Sequence, residues 1–257
     1  MNSSRADSVG SAPVRATTEH EVSLDALLGE RVRLLQPKDG LRAAIDPVLL
    51  AASVPAKGGD SVLEVGCGSG AASLCLAVRV LGSQVVGFDF QGDLIALAQE
   101  SASLNGVSDR VTFHAADLLA ALPPIAGQSF DHVMANPPFA KRGSGRVSPD
   151  PSKALASVEG AADLAAWVAF CVARVKAGGS LTFIHRLDRA GEVADLFCAN
   201  GLKTIVLPLG PKRVLVRGIK AGDAGVTYVS RLDLHEADGR FTSKADAILR
   251  DGQALII

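Results

Sequence analysis

Hydrophobic and polar positions along the chain follow two periods, and the places where the period changes predict its elements. Residues 1–20 are rich in Ser, Ala and Thr without apolar periodicity and are expected to form a loose tail. Arg31 to Gln36 (RVRLLQ) alternates like a short half-buried strand, Pro37 to Gly40 reads as a turn, and Ile45 to Ala56 suits a short helix broken at Pro55. From residue 61 the pattern becomes regular. SVLEV (61–65) is β-rich and ends in GCGSG (66–70); Leu74, Cys75, Val78 and Leu81 then share a helical face that stops at Gly82. QVVGFDF (84–90) is a second buried strand. Asp93 can cap a helix through Leu94, Leu97, Ala98 and Leu104, which Asn105-Gly106 terminates. RVTFHAAD (110–117) and FDHVMA (130–135) are the third and fourth strands, followed by a long loop from Asn136 to Pro151. Leu164, Trp167, Val168, Cys171, Val172 and Val175 form the clearest helical stripe, closed by Gly178-Gly179. SLTFIHRL (180–187) is a fifth strand, with a helix near Arg189 to Ala199. LKTIVLPL (202–209) and RVLVRGI (213–219) complete the set.

Helical crossovers make the early strands parallel, whereas three residues between the last two demand an antiparallel pair. The expectation is an α/β fold: a seven-stranded, mostly parallel sheet with one antiparallel hairpin and helices on both faces. The chain has 257 residues, 48% hydrophobic and 21% charged, which fits one domain over residues 21–257 and excludes wholesale disorder. Within it, residues 21–60 read as an N-terminal extension, 61–220 as the core and 221–257 as a C-terminal extension. The longest uncharged apolar run, Leu164 to Ala173, spans 10 residues; a bilayer crossing needs ~20. Four cysteines contain no C-x-x-C pair, so neither a disulfide scaffold nor a metal knuckle is expected. Met1 to His20 lacks an apolar centre, which argues against a secretory signal and for a cytoplasmic protein. A net charge of −1 excludes a basic coat for nucleic acid but not a local patch.

Candidate chemistry collects at strand ends. Gly66, Gly68 and Gly70 sit where a strand turns into a helix, a place for close backbone approach and free N–H groups. Alone the spacing is a weak signal, one residue short of the dinucleotide fingerprint. Asp89 ends the second strand, where a carboxylate can accept both hydrogens of a ribose diol, and Asp117 ends the third, where it could face an adenine edge. Each could equally be an ordinary cap; three successive strand ends on one sheet edge argue for a ligand. Asn136-Pro137-Pro138-Phe139 directly follows the fourth strand. The double proline forces the chain out of the sheet, leaving the Asn136 side-chain oxygen and the Pro137 carbonyl as acceptors beside the Phe139 ring. Two acceptors and a ring suit a planar group bearing NH2, such as adenine or a primary amide. Two acid-free stretches supply positive charge: Lys141, Arg142 and Arg146 after the fourth strand, and Lys203, Lys212, Arg213, Arg217 and Lys220 between Leu196 and Gly222.

GCGSG, Asp89, Asp117 and NPPF together resemble the class I S-adenosylmethionine-dependent methyltransferases that act on planar amino groups, with their Rossmann-like sheet. From about residue 24 onward, the LDALLGERVRLLQPKDGLRAAIDPVLLAASVPA opening, the loop at 146–151, KAGGSLTFIHR and KRVLVRGIK (212–220) resemble the bacterial valine tRNA adenine-37 methyltransferase family. The resemblance implies that Gly66, Gly68 and Gly70 pass beneath the methionine part of S-adenosyl-L-methionine, with Glu64 supporting the loop. It implies that Asp89 holds the ribose, Asp117 the adenine amine, and Asp46 a wall shared by the cofactor and target pockets. Asn136, Pro137 and Phe139 would clamp the target base, with Phe in place of the commoner Tyr. Lys141, Arg142, Arg146, Lys212, Arg213 and Arg217 would meet tRNA; no metal is implied. Three alternatives stay open: a protein glutamine amide as acceptor, an adenine of rRNA or DNA, and a non-catalytic nucleoside-binding module.

Overall fold

The computed structural model describes residues 21–39, 42–120, 125, 127–139 and 162–257. The expected tail at 1–20 and all of the expected loop after Phe139 lie outside them. Among the described residues the chain runs β1 (Val22–Leu27), β2 (Val32–Pro37), α1 (Ile45–Ser53), β3 (Ser61–Val65), α2 (Ala71–Arg79), β4 (Gln84–Asp89), α3 (Gly92–Leu104), β5 (Val111–Ala115) and β6 (Phe130–Ala135). It continues with α4 (Leu164–Arg174), β7 (Val175–Arg186), a 3-10 turn (Leu187–Arg189), α5 (Ala190–Ala199), β8 (Lys203–Leu209), β9 (Arg213–Ile219), β10 (Gly225–Tyr228) and α6 (Ser243–Leu249).

The main sheet has the order β10-β8-β9-β7-β6-β3-β4-β5. β3, β4, β5, β6 and β7 pair in parallel, and β9 inserts antiparallel between β7 and β8. The sheet is Rossmann-like, as expected, but among the described residues it has eight strands and not seven. The addition is β10, four residues parallel to β8, too short and too exposed for its pattern to register. The chain winds outward from β3 through β5, then returns to place β6 on the other side of β3. That reversal makes the β3–β6 crevice the topological switch point, where carboxyl strand ends leave room for a ligand.

Both faces are covered. α1, α2, α3 and α6 contribute Leu49, Leu74, Ala98 and Ile248 to one apolar core, while α4 and α5 supply Val168, Val193 and Phe197 to the other. Several local expectations need correction. Leu81 lies beyond the end of α2 and is 77% exposed, because the helix stops at Arg79. Asp93 sits inside the first turn of α3, whose N-cap is Gln91 without a side-chain cap bond. Gly178-Gly179 does not close a helix: α4 passes directly into β7, and the glycines lie at a register shift against β6. β2 also has a partner the alternation did not reveal, β1, in a separate antiparallel ribbon.

Polar groups fasten the amino ends of the strands. Asp131 accepts from the Ser61 N–H (2.9 Å), the Ser61 hydroxyl (2.6 Å) and Lys176 (2.9 Å). His132 bridges Ser180 (2.8 Å) and Asp60 (3.2 Å), and burial pulls its pKa down. No helix among the described residues is long and apolar enough to cross a membrane.

Candidate active site

The β3–α2 connection is built on left-handed backbone, with φ of +70° at Gly66, +53° at Gly68 and +84° at Gly70. The outer two glycines are required by packing as well as by φ. A Cβ on Gly66 would lie 2.5 Å from the Trp167 ring, and one on Gly70 would lie 2.6 Å from Phe113. Gly68 opens into space, with the Leu94 side chain 4.0 Å away. Gly66 and Gly68 border the adjoining cavity and Gly70 does not. Gly70, expected beneath a ligand, is instead where the loop seats on β5.

Asp89, only 7% exposed, ties this loop to the end of β4. Its Oδ2 accepts the Gly68 N–H at 2.9 Å and its Oδ1 accepts the Gln91 N–H at 3.0 Å. The ligand and capping readings of Asp89 are thus compatible, since each carboxylate oxygen has more than one acceptor direction. Burial raises its pKa. Glu64, buried beneath the loop, accepts both the backbone N–H (2.8 Å) and the hydroxyl of Ser73. Its burial outweighs those bonds and pushes the carboxyl up to about 8. Asp117 is exposed at the cavity's edge and caps the turn after β5 by accepting the Leu119 N–H at 2.9 Å.

These groups border one cavity of about 320 Å³, within the size range of small-molecule sites. It extends from Phe90 and Asp117 past Gly68 and Glu64 to Asn136, Pro138, Phe139, Trp167 and Asp46. Pro137 is buried and does not border it. The Asn136 Oδ1 is buried without a hydrogen-bond partner among the described residues. An unpaired buried acceptor costs ~1–3 kcal/mol, and Asn136 is one of the residues that border the cavity.

Among the cavity-lining residues that the sequence reading missed, three have side chains suited to contact a ligand or shape the rim. Trp167 falls on the apolar stripe of α4 and reads as core, though it is the chain's one Trp. Phe90 is 53% exposed at the end of β4, a large apolar ring that the core does not use. Arg42 donates to the Ser23 hydroxyl at 2.8 Å and pairs with Asp25, joining the β1–β2 ribbon to the cavity rim.

The expected tRNA contacts fare differently. Lys141, Arg142 and Arg146 lie outside the described residues. Arg217 is 7% exposed and donates to the carbonyls of Ser53 and Ile257. Burial pulls its guanidinium down to about 10. A phosphate cannot reach it, which corrects that assignment. Arg213 is half-buried and pairs with Asp46, so both serve an internal bridge across the rim. Lys220 donates to the carbonyls of Val172 and Val175 at the end of α4. Lys212 alone of the three described candidates is exposed.

Residues 56–173 match a family described as a methyltransferase domain. The release factor glutamine methyltransferase of Chlorobaculum tepidum is 30% identical over 175 residues, 65% of this chain and 60% of that protein. The tRNA1(Val) (adenine(37)-N6)-methyltransferase of Shewanella amazonensis is 25% identical over 219 residues, 82% of this chain and 91% of that protein. For the enzyme of that name from Escherichia coli the match, at 30% identity, spans 46% of its length. A solved structure of a predicted O-methyltransferase from Agrobacterium tumefaciens superposes with a TM-score of 0.67 at 24% identity, covering 82% of this chain and 99% of that one. That likeness concerns the fold. Residues 56–173, which match the methyltransferase domain, carry the glycine turn and the switch-point crevice, and the fold is the Rossmann-like one found in methyltransferases.

Proposed function

We propose that the protein transfers a methyl group from S-adenosyl-L-methionine to the exocyclic amine of an adenine in RNA, with a tRNA near its anticodon as acceptor. The observation that carries the reading is the buried, unpartnered Asn136 Oδ1 at the cavity wall. The cavity's residues fit the cofactor: Asp89 offers acceptors for a ribose diol, Gly68 leaves open backbone, and Asp117 stands at the far end for an adenine amine. When bound, S-adenosyl-L-methionine supplies a sulfonium-activated methyl group. The chain's own work is to present the acceptor. An adenine amine is a poor nucleophile because its lone pair is delocalised into the ring. Asn136 accepts one of its hydrogens and a main-chain carbonyl of the same turn the other, which favours a pyramidal nitrogen with its lone pair free. The Phe139 ring replaces the stacking that the base loses on leaving its strand. Positioning and fixed dipoles then provide most of the catalysis, without a charged base in the clamp, and the surplus amine proton leaves the nitrogen for water after methyl transfer.

The tRNA assignment draws support from the likeness to the Shewanella enzyme over 91% of its length, which includes segments outside the methyltransferase core. The internal roles of Arg213 and Arg217 leave phosphate contact to Lys212 and the 141–146 segment. The second reading, methylation of a protein glutamine amide, is favoured by the 30% identity to the Chlorobaculum enzyme, since one clamp would accept either planar NH2. Incubating the protein with methyl-labelled cofactor and total RNA, DNA and protein fractions separates these readings. Label in the tRNA fraction, recovered as N6-methyladenosine, is the expected result; label confined to protein would overturn it.

A further inference from the structure

Behind the Asn136–Phe139 turn stand two side chains to which the motif assigns no role. Pro137 and Pro138 have no N–H, so sheet hydrogen bonds cannot tie this segment down. Its neighbours at the end of β7 take that task. His185 is fully buried, and its Nδ1 accepts the Arg186 N–H at 2.8 Å, which leaves hydrogen on Nε2. Nε2 lies toward the Pro138 main chain without closing a well-formed hydrogen bond. The imidazole meets the Phe139 ring edge to face, with centroids 5.2 Å apart and planes at 67°. Burial and the nearby Arg189 charge pull its pKa down to about 4, so it packs there as a neutral ring. Arg189, in the 3-10 turn and 8% exposed, donates from Nη1 to the Phe139 carbonyl at 3.3 Å. Its Nε and Nη2 bind both oxygens of Glu192, at 3.0 and 2.9 Å. The carboxylate orients the guanidinium fork, the fork holds the carbonyl, and the imidazole backs the ring.

We infer that His185 and Arg189 are positioning residues that fix Pro138 and Phe139 from behind, so that the Asn136 oxygen and the Phe139 ring face the cavity in constant register. The inference deepens the functional reading above and rests on it. Arg suits the place better than Lys because one planar fork serves a carboxylate and a carbonyl together. Misplacing a reacting group by about 1 Å can cost ~10²-fold in rate, so the anchor matters although neither side chain reaches the cavity.

The test compares Arg189→Gln, Arg189→Lys, His185→Phe and Phe139→Ala, alone and with each positioning variant paired with Phe139→Ala. Three quantities are measured: kcat and KM on the fraction the wild type labels, S-adenosylhomocysteine affinity from Trp167 fluorescence, and hydrogen exchange in the peptide covering residues 134–139. Arg189→Gln should lower kcat by roughly 10- to 100-fold while keeping S-adenosylhomocysteine affinity within about two-fold. It should also raise exchange at Phe139, and Arg189→Lys should recover part of the loss. Combined with Phe139→Ala it should add little, as coupled residues do. A normal kcat, fully additive losses, or activity and S-adenosylhomocysteine affinity falling together with thermal stability would overturn the inference. If the wild type labels no fraction, the functional reading fails by itself. Exchange then decides the anchoring: unchanged protection of residues 134–139 in Arg189→Gln and His185→Phe would sink it.

Discussion

Asn136 carries an acceptor that folding leaves unpaired, and in the proposed reaction this sets stability against function at one atom. Its Oδ1 is buried and unpaired in the protein alone. Removing it should relieve up to ~1–3 kcal/mol of desolvation cost, partly offset by the small void left behind. Asn136→Ala is therefore expected to melt no lower than the wild type and to bind S-adenosylhomocysteine normally, while methyl transfer falls by about 10²–10³-fold. Thermal denaturation, Trp167 fluorescence and a transfer assay measure the three quantities; a near-normal rate would sink the clamp. The sequence showed this residue because a double proline after a strand is rare and forces a fixed exit. It misread Arg217 for an equally physical reason. β9 is flanked by β7 and β8 and covered on both faces, so a charge in its interior is turned inward, where it meets the ends of other elements. Charge counted along the chain cannot separate a buried staple from a surface contact.

At the scale of elements, alternation made β3, β4, β5, β6, β8 and β9 and their crossovers legible, since a core covered on both faces imposes continuous apolar strands. β1 and β10 escaped because each shows little buried surface. The glycine turn was legible as a strand-to-helix connection, built here on left-handed backbone, but the division of labour among its glycines was not, because that depends on Trp167 and Phe113 from distant elements. The division is testable. Gly70→Ala combines a left-handed φ with a Cβ 2.6 Å from Phe113, so it should destabilise by roughly 2–4 kcal/mol in urea titrations. Gly68→Ala has space for its methyl and should cost only about 1 kcal/mol, yet weaken S-adenosylhomocysteine binding because that methyl borders the cavity. Equal destabilisation by the two substitutions would show that the loop is held by φ alone.

For the whole molecule, buried titratable groups of opposite character determine how stability changes with pH. His185, with a folded pKa of about 4 against 6.5 unfolded, contributes fully above about pH 6.5, and that contribution is lost as pH falls toward 4. His132 shifts in the same direction. Glu64 runs the other way. Its folded pKa of about 8 lies above the unfolded 4.5, so its contribution is complete below 4.5 and is lost as pH rises through 8; the raised pKa of Asp89 acts with the same sign. Between about 4.5 and 6.5 the histidines at least balance Glu64. Between 6.5 and 8 the histidines are neutral in both states, and the folded chain alone still holds the Glu64 proton. Stability should then decline, with a limiting slope near 1.4 kcal/mol per pH unit for one proton. Urea denaturation across this range should place the maximum near pH 6–7. Glu64→Gln, which mimics the protonated acid and can still accept from Ser73, should flatten the alkaline side while keeping the acid side. A wild-type stability that climbs steadily to pH 8 would show that Glu64 is ionised beneath the glycine turn. The turn would then rest on a charge, and the Ser73 bonds would outweigh burial.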